Sequence, residues 1–410
     1  MEEKLQKYLE NQLKIKDFKL NSLLEITNAI NTNEGVDQLY KIFEFILKEQ
    51  LGFDKFIFFN KLDEWSCVIK LGFKGKVKEI DVERDLLRFR DITVIESSPS
   101  ALINEFDVIV PVFHKEKPLA YLLIAGLEHR KMKVAETMNN MSFIQTLANI
   151  IVVAIENKRM AKASLKQERL KKELEVASEM QKLLFPPDLP SNKRMDISAK
   201  YKARHEVGGD YYDFIPLGDE EYIVCIADVS GKGISAALLM ANFQATIRTI
   251  FRYQRFEFDF LIEELNKKVM RSAKGEKFIT FFIAHYNANS RLLTYVNAGH
   301  NHPFIVHGRK SEMLDQGSIG LGMMDELPFI NVGKMELKPN STLVLYTDGV
   351  VELEDHNEEQ FGIDRLVKMI HNYYPLKMED LNNLIFSKLD EWRGDLKLVD
   401  DTAIFSCRFF

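Results

Sequence analysis

The sequence predicts an α+β chain in which two mixed domains are joined by a helix. Three observations lead there. The apolar period switches from helical to alternating near residue 53 and returns to helical near residue 134. The helical period then persists to a Phe-Pro-Pro stop at Phe185, because proline cannot continue the backbone ladder. Beyond the stop, strands that are apolar almost throughout alternate with helical stretches, the pattern of sheets covered by helices.

Taken in order, residues 1–16 are charged, with Leu5, Leu9 and Leu13 every fourth position, and predict an N-terminal helix. Helices follow near 17–31 and 36–51, the latter carrying Leu39, Ile42, Phe43, Ile46 and Leu47. Strands are expected at 53–59, 65–70, 107–112 and 120–125, the last two joined by a polar turn at 114–117. This order of helices, strands, a late hairpin and a closing helix resembles a GAF sensory domain over residues 17–157. The resemblance implies a regulatory module, either binding a small-molecule ligand or mediating dimerisation. The sequence holds no complete cyclic-nucleotide signature and no chromophore cysteine, and both roles stay open.

The connector spans residues 158–186. Met160, Ala163, Gln167, Leu170, Leu174, Ala177, Gln181 and Leu184 keep a 3–4 spacing, a heptad seam with two polar interruptions, flanked by Lys166, Lys171 and Glu173. It predicts a coiled-coil connector that pairs with its counterpart in a homodimer. The alternative is a solvated single helix packed on one domain. In the second domain, residues 187–410, strands are expected at 222–227, 278–286, 292–297, 303–307, 342–346 and 402–409. Helices are expected at 234–253, 258–273, 362–372 and 378–392.

Composition excludes some classes. A formal net charge of −6 argues against general affinity for nucleic acid or anionic membrane. Cys67, Cys225 and Cys407 are odd in number and far apart, which fits neither a disulfide framework nor a zinc knuckle. The start Met1-Glu2-Glu3-Lys4 lacks the apolar segment of a secretory signal, and the longest apolar run, 150–155, is too short to span a bilayer. A cytoplasmic protein is expected.

Four acidic segments sit at the ends of strand-like runs: Gly208-Gly209-Asp210-Tyr211-Tyr212-Asp213, Ala227-Asp228-Val229-Ser230-Gly231-Lys232-Gly233, Thr347-Asp348-Gly349 and Asp400-Asp401-Thr402. Aspartates placed where strands run out can converge, and converging carboxylates require cations. They predict a hard-metal centre of oxygen ligands suited to Mg²⁺ or Mn²⁺. Singly, each has a plainer reading. Asp348-Gly349 is a hairpin signal, Ser230 could cap the next helix, and Asp210, Asp213 and the Asp400-Asp401 pair could be turn or solvated residues. Gly231-Lys232-Gly233 is no Walker loop, since Gly233 stands where that loop needs Ser or Thr.

Jointly, with Asn297-Ala298-Gly299-His300-Asn301-His302-Pro303 between them, these segments resemble the PPM, or PP2C-type, Ser/Thr phosphatases. The likeness runs over residues 173–410 and is nearest to the bacterial branch of the sporulation and stress-response phosphatases. Met180-Gln181-Lys182-Leu183-Leu184-Phe185-Pro186 resembles the helix end that precedes the domain there. The resemblance implies an αββα sandwich with two divalent ions, Mn²⁺ or Mg²⁺, at one end. Asp228 would bridge the ions, the Val229 carbonyl and Asp210 would serve one, and Asp348 and Asp400 would hold the other with Asp228. Asp213 and Asp401 would stand behind the ligands or in turns.

The implied reaction is hydrolysis of a phosphoserine or phosphothreonine monoester by direct attack of a metal-activated water. The implied substrate is an anti-sigma-factor antagonist of the STAS type. Two departures bear on it. Ser230 stands where eukaryotic relatives place a histidine that is a candidate general acid. Ala203-Arg204 stands where the branch often has Pro-Ala, leaving Arg204 and Lys232 as phosphate-contact candidates. His300 is expected to make structural hydrogen bonds rather than bind metal. The rival functions are a catalytically silent phosphoprotein-binding scaffold, and a GAF ligand sensor whose second domain only reports.

Overall fold

Neither glycine nor proline interrupts residues 2–31, and one helix, α1 (Glu2–Asn31), runs through the end expected near residue 16. The chain is described from a computed structural model over residues 2–95, 100–114, 116–126, 134–218, 220–253 and 257–410. After α1 come α2 (Val36–Phe45), prolonged by a π turn at Ile46–Gln50, then β1 (Lys55–Lys61), β2 (Trp65–Leu71), α3 (Val82–Asp85), β3 (Thr93–Val94), β4 (Val108–His114) and β5 (Lys117–Ala125). The five strands form an antiparallel sheet in the order β2-β1-β5-β4-β3.

Alternation along its strands divides the core in two. Phe56, Phe58, Val110, Leu122 and Ile124 pack with Phe43 and Leu47 of the helical layer. Ile57, Phe59, Ile109, Tyr121 and Leu123 face the other way, onto Phe73, Leu86, Ile103 and Phe106 from the segment between β2 and β4. The next helix, α4 (Val134–Lys182), is 49 residues long. By its internal contacts the chain forms two compact units, residues 1–168 and 169–410, and the division falls inside α4. Within the heptad seam Met160 and Leu170 are exposed, whereas Gln181 is buried.

The second unit holds β6 (Met195–Lys202), β7 (Tyr211–Pro216), β8 (Glu221–Val229), α5 (Ile234–Tyr253), α6 (Phe258–Ala273), β9 (Ile279–Asn287), β10 (Leu292–Ala298), β11 (Phe304–His307), β12 (Lys310–Met313), β13 (Gly317–Ser318), β14 (Gly333–Glu336), β15 (Ser341–Tyr346), α7 (Asp348–Val351), α8 (Ile363–Asn372), α9 (Met378–Arg393) and β16 (Thr402–Phe409). One sheet has the order β13-β10-β9-β8-β7, with β14 also paired to β10. The other runs β12-β11-β15-β16-β6.

Alternation again assigns the layers. Ile223, Cys225 and Ala227 of β8 meet α5 and α6, while Val224 and Ile226 meet Phe405 and Cys407 of the second sheet. Val344 and Ile404 face α8 and α9. Helix pair, sheet, sheet and helix pair therefore stack in an αββα order. By length and composition α5 would pass for a membrane span over Ile234–Arg252. Here Ala236, Met240, Phe243 and Ile247 are buried against the sheet, while Ile234 and Leu238 are exposed.

Candidate metal centre

Antiparallel pairing brings the C-terminal ends of β8 and β15 to the same edge as the N-terminal ends of β7 and β16. The strand parity that sends Val224 and Ile226 between the sheets does the same for Asp228, at the last turn-out of β8. Asp210 precedes β7, Asp348 opens α7 just after β15, and Asp400 and Asp401 lead into β16. Four segments remote in sequence thus deliver their carboxylates to one end of the sandwich.

The electrostatics record that convergence. Burial pushes the Asp228 carboxyl up to about 7, with the charges of Asp348, Asp400 and Asp401 adding to it. Asp348 is raised to about 6 by burial and then by Asp400 and Glu352. Burial, followed by the charges of Asp228 and Asp401, holds Asp210 well above the carboxylate range. A hydrogen bond from Thr347 Oγ1 to Asp210 Oδ2 at 2.8 Å works the other way. An ion pair at 2.7 Å joins Lys232 to Asp400.

Such a donor set fits divalent cations: hard oxygens, mutually repelling, at a strand edge. No three His, Cys, Asp or Glu side chains among the described residues stand gathered as a finished cage. A small hard cation bound through one or two carboxylates, with waters completing its shell, does not need one. The backbone is opened to the same point. A Cβ on Gly209 would come 3.0 Å from the Val229 carbonyl oxygen, so glycine leaves that oxygen clear beside Asp210.

The remaining expected residues fall as follows. Asp401 is buried and accepts the Gly209 N–H at 2.6 Å and the Arg204 N–H at 2.8 Å, holding the loop ahead of Asp210. Asp213 points away from the site, into the α5 layer. It is fully buried, takes a two-pronged bond from Arg248 at 2.7 and 2.9 Å, and accepts from Tyr211 Oη at 2.6 Å. The Arg204 guanidinium and Lys232 Nζ both donate to the Val399 carbonyl at the rim.

Ser230 Oγ accepts the Phe278 N–H at 2.8 Å, so it braces a loop rather than capping α5. Asp348-Gly349 makes no hairpin: β15 runs through Thr347 straight into α7. His300 is buried between Thr280 Oγ1 at 2.9 Å and the Tyr346 carbonyl at 3.1 Å. Burial lowers it to about 4, and it serves as a neutral strut joining the two sheets.

Four contributors were not assigned from the sequence. Thr347 ties Asp210 to β16 through Ala403 N–H at 2.9 Å. Lys277 Nζ donates to the Ser230 carbonyl at 2.9 Å, adding a cation beside the Asp228 loop. Tyr201 and Gln181 lie behind Gly208. Thr347 left a trace in sequence as the neighbour of Asp348 in its acidic segment, and Gln181 as a polar residue at an apolar seam position, whereas Lys277 and Tyr201 left none.

Residues 218–410 match the family described as Stage II sporulation protein E (SpoIIE). Asp228, Asp348 and Asp400 lie inside the matched range, and Asp210 lies before it. The chain is 27% identical over 261 residues to Protein IcfG of Synechocystis sp., covering 57% of this chain and 41% of that protein. It is 29% identical over 245 residues to Phosphoserine phosphatase RsbU of Bacillus subtilis, covering 59% of this chain and 71% of that one. Among solved structures, the SiaA-PP2C domain of Pseudomonas aeruginosa superposes with a TM-score of 0.52 at 21% identity, over 60% of this chain and 99% of that domain. The likeness to SiaA is one of fold.

Proposed function

We propose that this chain, whose residues 218–410 belong to the SpoIIE family of PP2C-type phosphatases, is a metal-dependent protein serine/threonine phosphatase. One observation carries the reading: four sequence-remote aspartates meet at one end of the sandwich, buried enough to push Asp228 to about 7 and Asp348 to about 6. Two divalent cations, Mn²⁺ or Mg²⁺, would supply charge for both oxygens of the breaking ester and a water acidified to neutral pH. Asp228, Asp210, Asp348, Asp400 and the Val229 carbonyl would hold them. Lys232, Lys277 and Arg204 put fixed positive charge at the rim, where a phosphoryl group would arrive.

The substrate in this reading is a phosphorylated protein, an anti-sigma-factor antagonist of the STAS type. The N-terminal unit acts as a GAF-like regulatory domain, and α4 connects it to the enzyme in a homodimer. The name of the relative RsbU, a phosphoserine phosphatase, supports the reaction class. The test is hydrolysis of a phosphoserine peptide by the full chain without metal, with Mn²⁺ and with Mg²⁺, beside Asp228→Asn. Turnover should require metal and fall to background in the variant. Metal-independent turnover that survives Asp228→Asn would sink the proposal, and so would silence of both the full chain and residues 169–410.

A further inference from the structure

Beside the Asp228 loop stands an ammonium group that no carboxylate holds. Antiparallel pairing of β8 with β9 sets Asp228 against Thr280 and Val229 against Ile279. The ladder continues one step past the strands. Ser230 N–H donates to the Phe278 carbonyl at 2.9 Å, and Phe278 N–H donates to Ser230 Oγ at 2.8 Å. Lys277 is thereby fixed next to the loop, half-buried, with Nζ donating to the Ser230 carbonyl at 2.9 Å. That carbonyl belongs to the residue directly after Val229. Gly231, at φ +83°, makes room for the ammonium, since a Cβ there would lie 2.4 Å from Nζ.

The three cations at the rim are not equivalent. Lys232 Nζ is bound to Asp400 at 2.7 Å and to the Val399 carbonyl at 2.8 Å. Arg204 donates to the same carbonyl, and a guanidinium does not give up its proton in a protein. Lys277 is bonded to one neutral oxygen and, among the described residues, pairs with no carboxylate. Two of its three N–H bonds stay available, and an ammonium can release a proton where a guanidinium cannot. His300 is no rival donor: it is buried, both its ring nitrogens are bonded, and burial holds it neutral.

We infer that Lys277 is the proton donor to the leaving serine oxygen, a catalytic residue of the reaction proposed above, on which the inference rests. Water adds its oxygen to phosphorus and gives up one proton to solvent. The bond from phosphorus to the serine oxygen breaks, and its electron pair stays on that oxygen. The oxygen takes a proton from Lys277 Nζ, giving a free serine side chain and hydrogen phosphate. The neutral amine then regains a proton from solvent. Such a donor matters most for a seryl ester, whose alkoxide leaves poorly, and least for an aryl ester whose phenolate leaves unprotonated.

The experiment compares full-length wild type, Lys277→Met and Lys277→Arg, each with Mn²⁺, on a phosphoserine peptide and on p-nitrophenyl phosphate. A positioned proton donor typically contributes about 10²–10⁴-fold, so kcat of Lys277→Met on the peptide should fall by that factor. Its fall on p-nitrophenyl phosphate should be smaller by about 10-fold or more. Lys277→Arg keeps the charge without the transferable proton, and suffices alone if Lys277→Met does not fold. It should regain turnover of the aryl ester while staying slow on the peptide. Mn²⁺ affinity, read by electron paramagnetic resonance, should match wild type in both variants. Equal falls on the two substrates, or a peptide rate restored by arginine, overturn the inference alone and make Lys277 a phosphate contact. Weakened Mn²⁺ binding in both variants also overturns it, because Lys277 would then act through the loop it touches. A wild-type chain that turns over neither substrate overturns the phosphatase reading and the inference together.

Discussion

Asp228 and His300 titrate in opposite senses, and the difference fixes where the pH dependence of this fold can be read. Asp228 is held at about 7 and Asp348 at about 6, both above the ordinary aspartate value of 3.8. The metal-free folded chain therefore binds protons that the unfolded chain has released. Stability from these two groups is fully present below about pH 4 and is lost as pH rises through their folded values. His300, lowered to about 4 from 6.5, works the other way, and its contribution is complete by pH 6.5. Between about pH 6.5 and 8 the Asp228 effect stands clear. There the melting temperature of metal-free protein should fall as pH rises, and Asp228→Asn should flatten the slope. A wild-type slope no steeper than that of the variant would contradict the buried, charge-crowded Asp228. Cations must displace the same protons, so Mn²⁺ should bind more tightly as pH rises and release protons, measurable by calorimetry in buffers of different ionisation heat.

At the scale of elements, α5 leaves the Asp228 loop and is pinned to β7 by Arg248 on Asp213. Asp213 is fully buried, whereas the Arg248 side chain is 42% exposed. Removing the arginine leaves a buried carboxylate with two neutral donors, the Tyr211 hydroxyl and the Phe214 N–H, and no cation, a change that costs about 3 kcal/mol or somewhat less, because solvent reaches part of the pair. Urea denaturation of Arg248→Met should show that loss, while an unchanged midpoint would mean the pair adds nothing to the fold. The same pair shows what sequence patterns can and cannot disclose. Strands β8, β9 and β16, buried on both faces, are near-continuous apolar runs and were readable as such. Strand β6, an edge strand whose Lys200 and Lys202 reach Asn383 and Asp390 of α9, and the short β12 to β14 carry no such run. The acidic motifs were legible because glycine and aspartate crowd at strand ends. That Asp213 serves α5 while Asp401 serves the Gly209 loop depends on partners 35 and 192 residues away, which no local pattern encodes.

At the scale of the whole molecule, the connector presents apolar side chains to solvent. Met160 and Leu170 of the seam are 67 and 53% exposed, and Leu9, Leu13, Leu20 and Leu24 on α1 are about half exposed or more. Burying a Leu or Met contributes about 1.5–3 kcal/mol, so two residues from each of two α4 helices give about 6–12 kcal/mol. Association costs about 4–15 kcal/mol, which leaves the α4 seam marginal by itself. The α1 leucines from two chains bring a comparable further gain and make a micromolar dimer the expected state of the full chain. Residues 169–410 lose α1 and most of the seam and should sediment as a monomer. In the full chain, Met160→Glu with Leu170→Glu places charge where the seam would close and should raise the dimer dissociation constant at least 10-fold. Sedimentation equilibrium on the three proteins decides it. A full chain that stays monomeric at high micromolar concentration would leave the exposed seam without a partner of its own kind.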